Sequence, residues 1–320
     1  MTNMLYDSAI KAYRDLKTLE PLPIPAHDTL LSINLQTYNR KDIMLETLEH
    51  IIGWADRRVE IILFDNGSTD GTHDAILGFM ANYQTRPSGP GGKPTIRHMK
   101  SETNLLLANS DGVIAVLIPL FKGKYFFSHS DDDRVDPKAL FAEIEYMERR
   151  PDVVASFPPW AVRHATTGEA LQPFYQIPGD IVFTENERGV LFDFVVRHHI
   201  LPEIGVFRTK AVDVKSDYAF GPFVWLDALL KAGGVRFHNT PFYTVLLGGN
   251  GAAVNSGHWG SSVTLKLLDN IRCGLELLAP DGSIETLLKI QRFMNIRSRV
   301  AANMTGSKSL AHRCNLWDNI

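Results

Sequence analysis

VEIILFDNGSTDGT, residues 59–72, changes character halfway. VEIILF (59–64) reads as a buried β-strand, and DNGSTDGT (65–72) reads as a turn into a helix carrying Ile76, Phe79, Met80 and Tyr83 at helical spacing. Gly67 and Gly71 allow a tight backbone, and Ser68 or Asp70 can cap the helix. The same unit precedes it. LLSINLQ (30–36) is an apolar β run, followed by TYNR and a helix with Asn39 as its cap and Met44, Leu45, Leu48, Ile51 and Ile52 on one face. TIRHMK and GKYFFSHS (123–130) supply further strands, with a helix expected over Leu105 to Leu117 between them. Strands alternating with helices at this interval predict an α/β fold with a mainly parallel sheet covered on both faces. In such sheets ligands bind outside the carboxyl ends of the strands, which is where TYNR, DNGSTDGT and SDDD all fall.

Outside this stretch the pattern is looser. An amphipathic helix (about 4–19) ends at PLPIP, and RPSGPGGKP (86–94) is a Pro/Gly loop between units. After residue 150, VVASFPPWAVRH and EIGVFR read as strands of a mixed sheet. PFVWLDALLKAGG is a short helix closed by glycines, VRFHNTPFYTVLL is a further pair of strands, and two helices run from Ser262 to about Ala302. The second of these is basic (Lys289, Arg292, Arg297, Arg299).

The chain has 320 residues, is 44% hydrophobic and carries a formal net charge of -3, so it can bury a large core. Near-neutral charge without a basic run argues against a nucleic-acid partner. Cys273 and Cys314 lie too far apart in sequence for a disulfide framework, which points to a reduced, cytoplasmic compartment. The longest apolar run, VIAVLIPLF (113–121), is too short to span a membrane and contains Pro119. The N-terminus does not read as a signal peptide.

Each motif has a plain reading and a chemical one. TYNR (37–40) offers backbone N–H groups to a ligand, or is an ordinary capped turn. In DNGSTDGT, Asp65 can accept hydrogen bonds from a base or ribose, although Asn-Gly and Asp-Gly are also common turn dipeptides. Neither motif is the GxGxxG of dinucleotide folds or the GxxxxGK[ST] of P-loop proteins. In SDDDRVDP (130–137), Asp136 and Pro137 read as a helix start. Asp131, Asp132 and Asp133 are then left as a solvated acidic loop or a seat for a hard cation, and the neighbouring loops favour the cation. Asp227, in WLD (225–227), is either a desolvated base or a carboxylate on the helix's exposed side. HHILPE (198–203) and NSGHW (255–259) combine histidine with neighbours suited to sugar or phosphate, although a lone histidine is more often structural.

Taken together these residues resemble the family 2 glycosyltransferases, which have the GT-A (Rossmann-like) fold. The resemblance runs from TLLSINLQTYNRKDIMLETLEHI through VEIILFDNGSTDGT to KYFFSHSDDDRVDPKAL, covers residues 29–150 well and becomes diffuse towards 250. It implies that Thr37, Tyr38, Asn39 and Arg40 line a nucleotide site and that Asp65, with Asn66 beside it, holds the base, usually uracil. Asn104 falls where the family has an Asn-x-Gly stretch, with Leu106 in place of the glycine. The acidic triplet corresponds to the DxD-type motif. Asp132 aligns with the metal ligand, Ser130 takes the first acidic position, and Asp131 and Asp133 flank it on ribose, diphosphate or metal; an alternative register pairs Asp131 with Asp133. Asp227 falls where inverting members carry the base of a Glu-Asp pair, with Leu226 replacing the glutamate.

The resemblance implies Mn²⁺- or Mg²⁺-dependent transfer of one sugar from a nucleotide-diphosphate sugar, most often UDP-linked, to an acceptor hydroxyl with inversion. The usual setting is polysaccharide or glycoconjugate synthesis on a carbohydrate or lipid-linked acceptor. The QxxRW motif of processive synthases is absent. A silent nucleotide- or sugar-binding protein of the same fold and a sugar-1-phosphate nucleotidyltransferase are the alternatives. The expected organisation is an N-terminal helix and linker (1–28), a nucleotide-sugar half (29–150), an acceptor half (151–255) and a helical appendage (256–320). Glu203, Trp225, His258 and Trp259 are expected around the acceptor, and the basic last helix could rest on the inner face of a membrane.

Overall fold

β1 (Leu31–Thr37), β2 (Val59–Asp65), β3 (Thr95–Lys100) and β4 (Tyr125–Ser130) are the four apolar runs of the first half. They pair in parallel in the order β3-β2-β1-β4. The computed structural model describes residues 29–104, 114, 117–212, 222–248 and 261–305, without the side chains of 261–267 and 299–305. The helix expected over 4–19, nearly all of that over 105–117, and His258 and Trp259 lie outside these residues.

Every residue of β2 is buried, as a strand covered on both faces requires. Ile61 and Leu63 face α1 (Lys41–Trp54), α2 (Thr72–Thr85) and α3 (Pro137–Arg149). Ile62 and Phe64 belong to the opposite core, built with α4 (Arg188–Arg197), α5 (Pro222–Ala232), α6 (Ser261–Leu278) and α7 (Ile284–Thr305). Glu60, fully buried in the same strand, accepts from Ser32 Oγ (2.5 Å), the Lys122 N–H (2.5 Å) and Arg97 Nη1 (2.8 Å). This charge network ties β1, β2 and β3 to the segment entering β4.

The second half extends the same sheet. β6 (Val153–Phe157), β9 (Ile181–Phe183), β10 (Val206–Arg208) and β11 (Gly234–Phe237) complete the order β3-β2-β1-β4-β10-β6-β11-β9. β10 is antiparallel to β4 and β6, and β9 to β11. A smaller sheet, β5-β12-β7-β8, consists of β5 (Arg134–Val135), β7 (Ala161–His164), β8 (Ala170–Leu171) and β12 (Tyr243–Leu247). VRFHNTPFYTVLL therefore supplies two strands that do not pair with each other: β11 stays in the large sheet and β12 leaves it after Pro241. The mixed character expected after residue 150 is present.

Asp136 caps α3 through the N–H groups of Lys138 (2.9 Å) and Ala139 (3.2 Å), with Pro137 in the first turn. Asn39 does not cap α1. It lies one residue before the Arg40 cap position in the left-handed region (φ 51), and its side chain is used by a neighbouring loop. On α7, Arg297 turns inward and Lys289 pairs with Asp193 and Glu285, while Arg292 stays exposed. No described helix is long and apolar enough to cross a membrane.

Candidate active site

Four loops leave the carboxyl edge of β1–β4 and are bonded to one another. After β1, Asn39 donates its N–H to Ser68 Oγ (2.9 Å) and accepts the Thr69 N–H at its side-chain oxygen (2.7 Å), both from the loop after β2. Asn66 Nδ2 donates to Asn104 Oδ1 (3.1 Å) in the loop after β3. Gly67 (φ 74) makes this approach possible, since a Cβ there would lie 2.5 Å from the Thr103 carbonyl carbon. Thr37, Tyr38, Asn39, Arg40, Asp65, Asn66, Asn104 and the acidic triplet thus come from adjoining loops of one edge.

The triplet is not uniform. Asp131 is buried and accepts from Thr37 Oγ1 (2.7 Å) and Arg40 Nη1 (2.5 Å), while its carbonyl accepts from Thr47 Oγ1 (2.7 Å). Burial pushes its carboxyl up to about 6 against the pull of Arg40. Asp133 is buried on another side, accepting from Tyr243 Oη (2.9 Å) and the Leu246 N–H (3.0 Å) of β12. Burial and the Asp132 charge push it up to about 7. Asp132 accepts from Ser130 Oγ (2.6 Å) and Arg40 Nη1 (3.0 Å), and its side chain keeps 21% of its surface exposed. Burial opposes the charge on Arg40, but Asp131 and Asp132 outweigh it, and the guanidinium is held above its ordinary value.

This arrangement decides which residues can hold a hard cation. Mg²⁺ and Mn²⁺ suit oxygen ligands, and Mg²⁺ characteristically binds through one or two carboxylates, waters and substrate phosphates. Asp132, partly open beside the loops, fits that role. Asp133, expected as a second ligand, does not: both its oxygens are committed inside the fold, where they anchor β12.

A second cluster lies under the first turn of α2. Asp65 uses Oδ1 to accept the Ser68 N–H (2.9 Å), but its Oδ2 has no hydrogen-bond partner. His73 Nδ1 and His98 Nε2 are likewise buried and unpartnered, and the three residues bring one ligand atom each within 4.8 Å of one another. Burial, with the nearby His73 and Lys100, lowers His98 to about 4 and keeps its ring neutral at neutral pH.

Across β4, the HHILPE loop reaches the same edge, because β10 runs antiparallel to β4 and begins there. Phe207 pairs with Phe126 and Arg208 with Tyr125; Glu203 lies three residues before the start of β10, on the loop that leads into it. Glu203 is half-buried, and its charge acts on both Tyr175 and Arg297. Tyr175 donates to the Leu201 carbonyl (3.0 Å), and Arg297 Nη2 donates to that of His199. Trp160 stands edge-on to Tyr175 at 5.7 Å.

Two sequence expectations fail here. Asp227 is not on this edge. β11 begins beside β6 at Gly234↔Val153, so α5, which leads into it, ends at the opposite edge. β9 ends there too, opposite Val235, and α4 starts there with Arg188. Asp227 is paired with that Arg188 and, one turn on, with Lys231 (2.8 Å). Burial alone would raise its carboxyl, but these two cations outweigh burial and hold it below the usual range, the reverse of a base tuned by desolvation. Trp225, expected around the acceptor, is a core residue packed edge-on to Phe207 (5.8 Å).

Sequence reasoning also passed over His73, His98, Tyr175 and Tyr243, and read Arg297 only as part of a basic helix. Only His98 left a usable signal: in TIRHMK it stands two residues from Lys100, the register partner of Asp65, and so on the same face of the sheet.

Residues 32–212 match the sequence model of "Glycosyl transferase family 2". A sequence search of curated proteins finds no match. Among solved structures, S. aureus TarS 1-349 superposes with a TM-score of 0.52 at 12% identity, covering 86% of this chain and 73% of that one. The same TarS fragment in complex with UDP-GlcNAc gives 0.54 at 14% identity, covering 83% and 72%. Against the longer TarS structure (TM-score 0.51, 12% identity), 83% of this chain covers 43% of that one.

Proposed function

The chain belongs to glycosyl transferase family 2, and on that premise we propose that it moves a single sugar from a nucleotide-diphosphate sugar to an acceptor hydroxyl with inversion. The observation that carries this reading is the joined edge itself. A half-open carboxylate, Asp132, stands beside a buried Arg40–Asp131 pair and one β-strand away from the base-side loop of Asp65. UDP is the proposed nucleotide, supported by the UDP and UDP-GlcNAc complexes of the fold neighbour TarS.

Asp65, Asn66 and Asn104 would receive the base, and Thr37 to Arg40 the ribose and diphosphate. Asp132 would hold Mn²⁺ or Mg²⁺ through one carboxylate, and the ion when bound would neutralise the departing diphosphate. Arg40, fixed by Asp131, brings a permanent positive charge to the same place. Glu203 replaces Asp227 as the proposed base: its loop lies on the reacting edge, and a half-buried carboxylate there can take the acceptor's proton. Residues 29–150 would thus serve the donor and 151–255 the acceptor. A lipid-linked acceptor, and a membrane contact through α7, belong to the same proposal.

Two variants test it. Asp132→Ala is expected to lose Mn²⁺-dependent UDP binding in calorimetry. Glu203→Gln is expected to keep that binding while transfer falls by about 10²–10⁴-fold, the usual contribution of a positioned base. Undiminished UDP binding by the first removes the metal seat, and normal turnover by the second removes the base. Proton NMR of the product's anomeric centre reads the stereochemistry.

A further inference from the structure

Asp65 ends β2, His73 is the second residue of α2, and His98 lies in β3 on the face that α2 covers. One ligand atom from each of the three lies within 4.8 Å of the others, and each residue has a buried polar atom without a hydrogen-bond partner: Asp65 Oδ2, His73 Nδ1 and His98 Nε2. A buried polar atom left unsatisfied is costly, so three such residues grouped this closely call for something between them. Asp65 is fully buried, and the Ser68 N–H on its other oxygen fixes its orientation.

We propose that Asp65, His73 and His98 bind a divalent transition metal of the Zn²⁺ class. Two imidazoles and one carboxylate make a three-ligand set with a coordination position left for water or substrate. That chemistry differs from the Asp132 seat, because mixed nitrogen and oxygen ligands favour Zn²⁺ or Co²⁺ over Mg²⁺. The site also has a consequence for the proposed reaction, and this part alone rests on the nucleotide reading. Asp65 has one uncommitted oxygen, and an ion that draws on it leaves less charge for an N–H of the base, so ion and nucleotide compete there, each weakening the other by the same factor. Occupancy by a Zn²⁺-class ion would then turn the enzyme down at its donor pocket.

Co²⁺ tests this without any need for turnover. Titrated into the apoprotein, it is expected to give the intense visible absorption of a four-coordinate site at one equivalent. The band should persist in Asp132→Asn and vanish, with affinity down roughly 100-fold or more, in His98→Gln and in His73→Asn; changes to outer-shell partners alone cost 10–100-fold. Circular dichroism confirms that each variant is folded. Adding UDP to the Co²⁺-loaded protein should bleach the band. Absence of the band from the wild type, or its survival in both histidine variants, overturns the site, leaving the three groups as a proton-sharing cluster. A band that UDP leaves intact overturns the competition. UDP binding measured in chelator-treated buffer stands or falls separately, so failure of the nucleotide reading is distinguishable.

Discussion

Replacing Asp133 by alanine should damage the fold, whereas the same change at its neighbour Asp132 should damage binding. The Asp133 carboxylate accepts the Tyr243 hydroxyl and the Leu246 N–H, both in or entering the interior. Removing it strands those two donors, at about 1–3 kcal/mol each, or roughly 2–6 kcal/mol together. Part returns, because a carboxyl raised to about 7 is disfavoured as an anion at neutral pH. Asp132 lies partly in water, and its loss also relieves its repulsion with Asp131, so Asp132→Ala should change stability by less than about 1 kcal/mol. Urea unfolding monitored by tryptophan fluorescence, alongside UDP calorimetry with Mn²⁺, separates the two. The reasoning is refuted if Asp133→Ala unfolds like the parent chain but has lost Mn²⁺-dependent binding. Asp133 would then be a ligand, and β12 would be held by something else.

Asp227→Asn should leave transfer intact and lower stability only modestly, since the Arg188 and Lys231 pairs sit at the far edge of the sheet; a turnover loss of 100-fold or more would reinstate it as the base. His129 is buried with its Nδ1–H on the Ser130 carbonyl, and burial lowers it to about 4 from 6.5. The unfolded chain therefore takes that proton first, so this contribution is present above pH 6.5 and is lost as pH falls through about 4, roughly 3 kcal/mol in all. Asp131 and Asp133, raised to about 6 and about 7, act in the opposite direction and mask it in a pH–stability curve. Histidine titration by NMR is the decisive measurement, and a His129 midpoint near 6.5 would contradict the burial argument.

The first half of the fold is readable because its strands are continuous apolar runs punctuated by turn residues, a pattern set by local chemistry. Position along the sheet also comes from that pattern, which is why TYNR, DNGSTDGT and SDDD can be assigned to one edge from the residues alone. What the pattern cannot supply is direction in the second half. Whether Asp227 faces the reacting edge depends on β9 and β10 running antiparallel to their neighbours, and three-residue strands leave almost no periodicity to read. The division of labour within the triplet is equally hidden. Asp133 is claimed by Tyr243, 110 residues away, and Arg297 reaches the HHILPE loop from the last helix. Glu60 makes the same point in a strand that otherwise reads correctly, because its partners Ser32, Arg97 and Lys122 meet only after three strands have paired.

The mutual bonds of Asn39, Ser68 and Thr69 bear on affinity rather than on architecture. Two loops that would otherwise have to be immobilised by an arriving ligand are already immobilised by each other, so their ordering entropy is spent during folding and not at binding. A donor then meets a rigid receptor, and its contacts convert to affinity with little deduction. Cutting the link, for instance with Ser68→Ala, would show as a less favourable binding entropy and a slower approach to the bound state, even though Ser68 is given no contact with the donor.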